Sequence, residues 1–511
     1  MPVMASNIVS TSQPLASQAG IRMLLKGGNA IDAAISSAIA LTVVEPTMNG
    51  IGSDAFAIIW DNNQLIGINA SGRAPSAWTP EYFSKYENMP MMGWDSVTVP
   101  GTVSAWFELS NRFGNLPFKT LFKPAINYAR NGFIVSPITA GVWKMTKGMF
   151  KKFSGFKETF LREKKSPKAG TIFKNPAQAN ALEKIAKTKG KSFYNGDLAQ
   201  KIVEKSKKMG GVLEMDDLKN HKVTWESPLS IGYRNVTLYE LGPNSQGLAA
   251  LIMLGILREW NIQKYDVDSA ESIHIQLEAM KLAFTDVYKY LSDLKYMQIK
   301  PSDLINQKYL KKRSELIDPN SAQKYDFGIP KHGDTVYLAT ADENGMMVSY
   351  IQSNYLMFGS GIVISGISLQ NRGSGFTLEK GHPNQVGPNK RPFHTIIPAF
   401  VMKDNEPLMS FGVMGGPMQP QGHVQMIIRI FDYKQNPQAA IDAPRWQVLG
   451  GLDVGVEKEF DQEVIKDLEN KGHKINKLDS FRFGGAQIIY KLKDGYLGAS
   501  DPRKDGQSIG F

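Results

Sequence analysis

The apolar stretch from Pro14 to Val44 is broken once, at Gly27-Gly28-Asn29. Such a break is a helix C-cap signal followed by a fresh start, so two helices are predicted. The second carries the run AAISSAIALTVV from Ala33 to Val44, flanked by Asp32 and Glu45. It is too short to span a bilayer and reads as a buried helix. Beyond it the pattern changes. PTMNGIGS at 46–53 is a loop, and DAFAIIW, a DNN turn and QLIGINA read as a hairpin. From Gly101 to Gly210 the pattern is helical, with Pro and Gly punctuation. Strands return at 222–241, and Ala249–Trp260 and Ala270–Leu291 read as two further helices.

The second half is mainly β. Thr335–Ala341 and Met346–Tyr355 flank Asp342-Glu343-Asn344-Gly345, where Asn-Gly is a strong hairpin signal. Thr395–Lys403 and Leu408–Val413 flank DNEP, and Ala486–Leu492 and Tyr496–Ala499 flank Lys493-Asp494-Gly495. Phe460–Lys471 reads as a helix. There is no internal repeat and no low-complexity linker. Helices outside and antiparallel hairpins inside predict an α+β fold in four layers, α/β/β/α, as one compact unit.

Composition narrows the chemistry. The chain has 511 residues, of which 42% are hydrophobic and 21% charged, enough for a substantial core. It has no cysteine, which excludes disulfides, thiolate zinc sites and a cysteine nucleophile. The net charge of +11 is moderate, and the lysines concentrate between Lys144 and Lys208. No aromatic stacking pattern or zinc signature accompanies them, so a solvated face is expected rather than a nucleic-acid site. The start, MPVMASNIVSTSQPLAS, lacks a basic region followed by an apolar one. A soluble, cytoplasmic protein without a signal peptide or membrane segment is therefore expected.

The common catalytic signatures fail. There is no G-x-S-x-G and no H-E-x-x-H. Gly190-Lys191-Ser192 resembles the end of a phosphate loop, but Ile185 stands where its first glycine belongs. Gly359-Ser360-Gly361 lacks a third glycine at dinucleotide spacing. The seven histidines (221, 274, 332, 382, 394, 423, 473) are scattered, so structural roles are expected for them and no metal site or cofactor is predicted.

The remaining feature is KHGDTVYLAT at 331–340. One reading is a turn and a strand. The other is a cut site, with Thr335 as a nucleophile that brings its own base. A freed α-amine has a pKa of roughly 7.7–8.0 and can take the hydroxyl proton of its own residue. Oxyanion donors would come from Phe411-Gly-Val-Met-Gly-Gly-Pro417, where Gly415 and Gly416 allow close approach and positive φ. On this segment alone, a simple strand-to-helix turn is the favoured explanation.

Several segments together decide between these readings. They are SQAGIRMLLKGGNAIDAAISSAIALTVVEP (17–46), VPGTVSAW (99–106), NYARNGFIV (127–135), SFYNG (192–196) and EAMKLAFTDVYKYLSD (278–293), then GDTVYLATADENG, FGSGIV, VGPNKRP, GVMGG and GASDPR (498–503). In this order and spacing the chain resembles the γ-glutamyltransferase family of N-terminal nucleophile hydrolases. The resemblance implies the sandwich of two packed antiparallel sheets and a precursor that cuts itself between Asp334 and Thr335. A large subunit of residues 1–334 and a small one of residues 335–511 would share one fold. It further implies Thr335 as nucleophile on a γ-glutamyl amide such as glutathione, with water or an amino acid or peptide amine as acceptor. A dimer of processed heterodimers is compatible with it. Gly415 and Gly416 match the oxyanion glycines. Ser353 stands where the family often has a threonine that bonds the nucleophile's amine.

The departures concern substrate. The family's carboxylate-binding arginine aligns with Ser71, and Arg73 is the nearby substitute. The acidic residue for the substrate α-amine falls in LQNRGSGF, at Gly375, with Arg372 close by. The family's paired serines correspond to His394 and Thr395, and Tyr355 replaces a usual asparagine. The stretch from Phe376 to Val386 is short, so a reduced flap is expected. Val336 replaces a second threonine. Without the acid, an acyl group with a carboxylate and no amine, such as glutaryl, is the alternative to γ-glutamyl. A cephalosporin- or glutaryl-acylase-like enzyme and an uncut binding paralogue are the competing readings.

Overall fold

The structure is a computed structural model and describes residues 1–325 and 334–511. Two seven-stranded antiparallel sheets carry it. One runs in the order Val3–Ala5, Gly495–Ser500, Gly485–Leu492, Glu406–Met414, Ala399–Lys403, Val236–Glu240 and Leu229–Tyr233. The other runs Gln507–Gly510, Ile8–Thr11, Asp334–Ala341, Met347–Tyr355, Asp54–Trp60, Leu65–Asn69 and Thr224–Glu226. Each sheet thus interleaves strands from before and after Thr335.

Side-chain alternation explains the layers. In Asp334–Ala341, Val336 and Leu338 pack towards helices, whereas Tyr337, Ala339 and Ala341 pack between the sheets. There they meet Phe400, Met414 and Ile489 of the other sheet. The outer face of one sheet is covered by Ala30–Val44, which is buried all round and starts with an Asn29/Asp32 capping box. The outer face of the other is covered by Gly247–Leu257, which packs against Leu229–Tyr233 and Val236–Glu240, and by Met418–Ile427, which packs against Glu406–Met414. The result is the expected α/β/β/α sandwich. Among the described residues no helix is long and apolar enough to cross a membrane.

Some boundaries move for local reasons. The strand expected from Thr395 begins at Ala399. Pro398 has no N–H, and the Ile397 N–H is taken by the Gln419 side chain at 2.9 Å. The helix expected from Phe460 begins at Gln462, because Asp461 caps the amides of Glu463 and Val464. The strands Val3–Ala5 and Ile8–Thr11, and the three-stranded sheet of Trp446–Gly450, Asp453–Glu457 and Lys474–Leu478, were not expected from the pattern.

Candidate active site

Thr335 lies at the start of the strand Asp334–Ala341, where a bulge interrupts pairing with the neighbouring strand. Gly333 and the Asp334 side chain fall outside the described residues. Thr335 shares its facing with Tyr337 and Ala339, and Ser353 shares its facing with Met347 and Ile351. Both therefore point between the sheets. Thr335 Oγ1 donates to Ser353 Oγ at 3.3 Å and accepts from Gln419 Nε2 at 3.3 Å. Ser353 Oγ also accepts from the Tyr355 N–H at 2.7 Å and from Arg372 Nη2 at 3.3 Å.

Gly415 and Gly416 end the strand Glu406–Met414 and precede the helix Met418–Ile427, so the segment is a strand-to-helix turn. Their φ values of 121° and 60° are the positive angles that glycine tolerates. The Gly416 carbonyl is held by Gln246 Nε2 at 2.9 Å, and the same nitrogen holds the Thr395 carbonyl at 2.5 Å. One side chain thereby ties the glycine turn to the segment that carries Thr395.

Arg372 is the cation of the site. It is fully buried, and its Nη1 donates to Thr395 Oγ1 at 2.8 Å. Its guanidinium lies 4.4 Å from the Tyr355 ring centre, a cation–π contact. Among the described residues no carboxylate is hydrogen-bonded to it, and its Nε has no partner. Burial pulls its pKa down to about 10, against the attraction of Asp54, so it stays charged at neutral pH. Asp54 is the nearby counter-charge. Burial pushes its carboxyl up to about 7, opposed by Arg372 and by the Gly72 and Gly101 amides at 3.1 Å each.

His394 reaches Asp54 rather than Arg372, with Nε2 3.1 Å from Oδ2. Burial, aided by Arg372 and Arg391, holds its pKa well below the usual range, so the ring is neutral and Nε2–H donates. Of the expected pair His394 and Thr395, it is Thr395 that is hydrogen-bonded to Arg372. Tyr355 has a φ of 74° and lines a cleft of about 710 Å³. Tyr288, Gly375, Phe376 and Phe393 line it too. A Cβ at Gly375 would lie 2.5 Å from the Phe393 carbonyl oxygen, so an acidic side chain does not fit there without a backbone shift.

Arg73 does not join this group. Its Nη1 pairs with Asp293 at 2.9 Å and with the Asn389 carbonyl at 3.2 Å. Ser71 is tied to Asn69 at 2.7 Å and to Asn244 at 3.2 Å. Two site residues escaped the sequence reading. Asp54 was visible as an acid opening the otherwise apolar DAFAIIW. Gln419 was marked only by its place in the first turn of the helix after Gly416.

Six of the histidines have hydrogen-bond partners, and His332 lies outside the described residues. His274, Glu278 and His473 offer ligand atoms within 4.8 Å of one another. Lys281 Nζ, 2.7 Å from Glu278 Oε1, already supplies the positive charge that a bound cation would bring.

Comparison with known proteins identifies the family. A family profile described as gamma-glutamyltranspeptidase matches residues 16–511. The glutathione hydrolase-like YwrD proenzyme of Bacillus subtilis is 36% identical, covering 97% of both chains. The oxamate amidohydrolase proenzyme of Klebsiella pneumoniae is 34% identical, again over 97% of both. The crystal structure of a cephalosporin acylase from Bacillus halodurans aligns with a TM-score of 0.96 at 44% identity, covering 100% of this chain and 97% of that one. Matched by the family profile over residues 16–511 and by relatives almost end to end, this protein is a member of the gamma-glutamyltranspeptidase family of N-terminal nucleophile hydrolases.

Proposed function

We propose that the chain is a self-processing amidohydrolase with Thr335 as nucleophile, acting on amides whose acyl group carries a carboxylate. In processing, Thr335 Oγ1 attacks the Asp334 carbonyl carbon. The C–N bond breaks, the nitrogen becomes the α-amine of Thr335, and water hydrolyses the ester. Fragments 1–334 and 335–511 stay together because each sheet draws strands from both. The new amine then serves as base, and Gly415 and Gly416 supply the oxyanion donors. Acylation expels the substrate's amine, and water or an amine acceptor resolves the acyl-enzyme. Domain division, site roles and substrate all belong to this reading, with Arg372, Thr395 and Tyr355 on the acyl side. Arg73 and His394 contribute through Asp293 and Asp54 rather than by direct contact.

The observation that carries the substrate class is Arg372, a buried cation two hydrogen bonds from Thr335 to which, among the described residues, no carboxylate is hydrogen-bonded. Charge-assisted hydrogen bonds to such a group are worth about 1.5–3 kcal/mol each. A carboxylate gains them, whereas an α-ammonium beside Arg372 meets a like charge. This favours glutaryl-like acyl groups over γ-glutamyl. The glutathione hydrolase-like relative supports γ-glutamyl amides, glutathione among them, as the second reading.

Two measurements test the proposal. Intact mass should resolve two fragments meeting between Asp334 and Thr335, and Thr335→Ala should remain one inactive chain. A Thr335→Ala protein that still cuts there refutes the nucleophile. kcat/KM for glutaryl and γ-glutamyl anilides should favour glutaryl, and a clear γ-glutamyl preference returns the chain to the glutathione reading.

A further inference from the structure

The Gln419 side chain is fixed in orientation. The Ile397 N–H can only donate, so the atom it meets at 2.9 Å is Oε1. The atom facing Thr335 Oγ1 at 3.3 Å is therefore Nε2, a donor. With that donor on one side, the Thr335 hydroxyl directs its own proton to Ser353. Gln419 is fully buried and sits in the first turn of the helix that follows the glycine pair.

We infer that Gln419 is a catalytic residue whose Nε2–H stabilises Oγ1 as a leaving group. The inference rests on Thr335 being the nucleophile. A donor on Oγ1 does not help attack, because the oxygen accepts less well once it is acylated. Its benefit comes when the bond is broken again. In deacylation, the α-amine of Thr335 takes a proton from water as the water oxygen adds to the acyl carbon, and the resulting tetrahedral species collapses. The C–Oγ1 bond breaks, its electron pair returns to Oγ1, and the α-ammonium of Thr335 returns the proton. Negative charge grows on Oγ1 in that step, and Nε2–H is already aimed at it. Hydrolysis of the processing ester at Asp334 has the same leaving group. Gln419 thus separates two half-reactions that share one nucleophile.

The test compares wild type with Gln419→Leu and Gln419→Glu on a glutaryl anilide. Glu keeps an acceptor for the Ile397 N–H and places an oxygen rather than an N–H against Oγ1, so it preserves the local fold. If a variant matures, a pre-steady-state burst of about one anilide per site is expected, followed by a steady rate roughly 10- to 100-fold below wild type. If maturation stalls, the chain is expected to hold an ester at 334–335 that hydroxylamine cleaves. Either result supports the inference. A Gln419→Glu enzyme with the wild-type steady rate overturns it. So does a slowed or uncut Gln419→Glu protein with neither burst nor hydroxylamine-sensitive bond. Thr335→Ala run in parallel separates the failures: if that protein is cut or turns over, the nucleophile reading has failed rather than the role of Gln419.

Discussion

Two arginines of this protein are equally buried and differently answered. Arg372 and Arg445 both have no exposed surface, and among the described residues each leaves its Nε without a hydrogen-bond partner. Arg445 Nη2 meets Asp501 Oδ2 at 2.6 Å, and its other bonds go to the carbonyls of Phe483 and Ile441. Around it, Arg503 pairs with both Glu457 and Asp501, so the cluster is close to neutral. Among the described residues the hydrogen bonds of the Arg372 side chain go to the hydroxyls of Thr395 and Ser353. Burying a charge is costly unless it is paired. The Arg445 cluster resolves that cost within the fold, whereas Arg372 leaves part of it open two hydrogen bonds from Thr335. An incompletely answered buried charge marks where a ligand charge belongs.

The largest effect that would test this contrast is on stability. Asp501→Asn should cost about 3–5 kcal/mol in denaturant unfolding, because it strands Arg445. Burial pushes the Asp501 carboxyl up, but Arg445 and Arg503 outweigh it and hold the pKa below the usual range. Its stabilisation is therefore present above the unfolded value near 3.9 and is lost as pH falls through the lower folded value. The mutant should lack that acid-dependent loss. A cost under about 1 kcal/mol would remove the distinction between the two arginines.

Arg372→Met should act on turnover instead. A loss of about 1.5–3 kcal/mol corresponds to roughly a ten- to hundredfold drop in kcat/KM for the glutaryl anilide. The melting temperature should hold or rise, since a buried charge with no hydrogen-bonded carboxylate among the described residues has been removed. A collapse in stability with unchanged kcat/KM per folded molecule would make Arg372 a structural residue like Arg445.

The smallest effect concerns Asp54. Its raised pKa of about 7 means that the folded state favours the protonated carboxyl. Its stability contribution is full below the unfolded value near 3.9 and is lost as pH rises through about 7. In the same window the ionised form comes to offset Arg372. KM for the glutaryl substrate should therefore rise a few-fold, on the order of 1 kcal/mol or less, between about pH 6 and 8. Asp54→Asn should flatten that rise. A wild-type KM that is level across this range would show that Asp54 does not temper Arg372.

Much of the sandwich was legible because its hairpins carry their own turn chemistry. Asp342-Glu343-Asn344-Gly345 and Lys493-Asp494-Gly495 each join strands adjacent in sequence, and both pairs form as read. The N-terminal strands were not legible for the opposite reason. Val3–Ala5 and Ile8–Thr11 are short, and they pair with Gly495–Ser500 and Asp334–Ala341, hundreds of residues away. Nothing local specifies such pairing.

The sequence by itself determined the strand that runs through Thr335–Ala341 and a glycine pair at 415 and 416 free to take positive φ. These are properties of residue type and period, which act over a few neighbours. The tertiary structure alone decided which polar groups share a buried space. It turned His394 towards Asp54 and Arg73 towards Asp293, and it left Arg372 among hydroxyls. It also brought Gln419, 84 residues further along the chain, onto the Thr335 oxygen. Charge cost depends on burial and on partners, and both are set by how the two sheets pack.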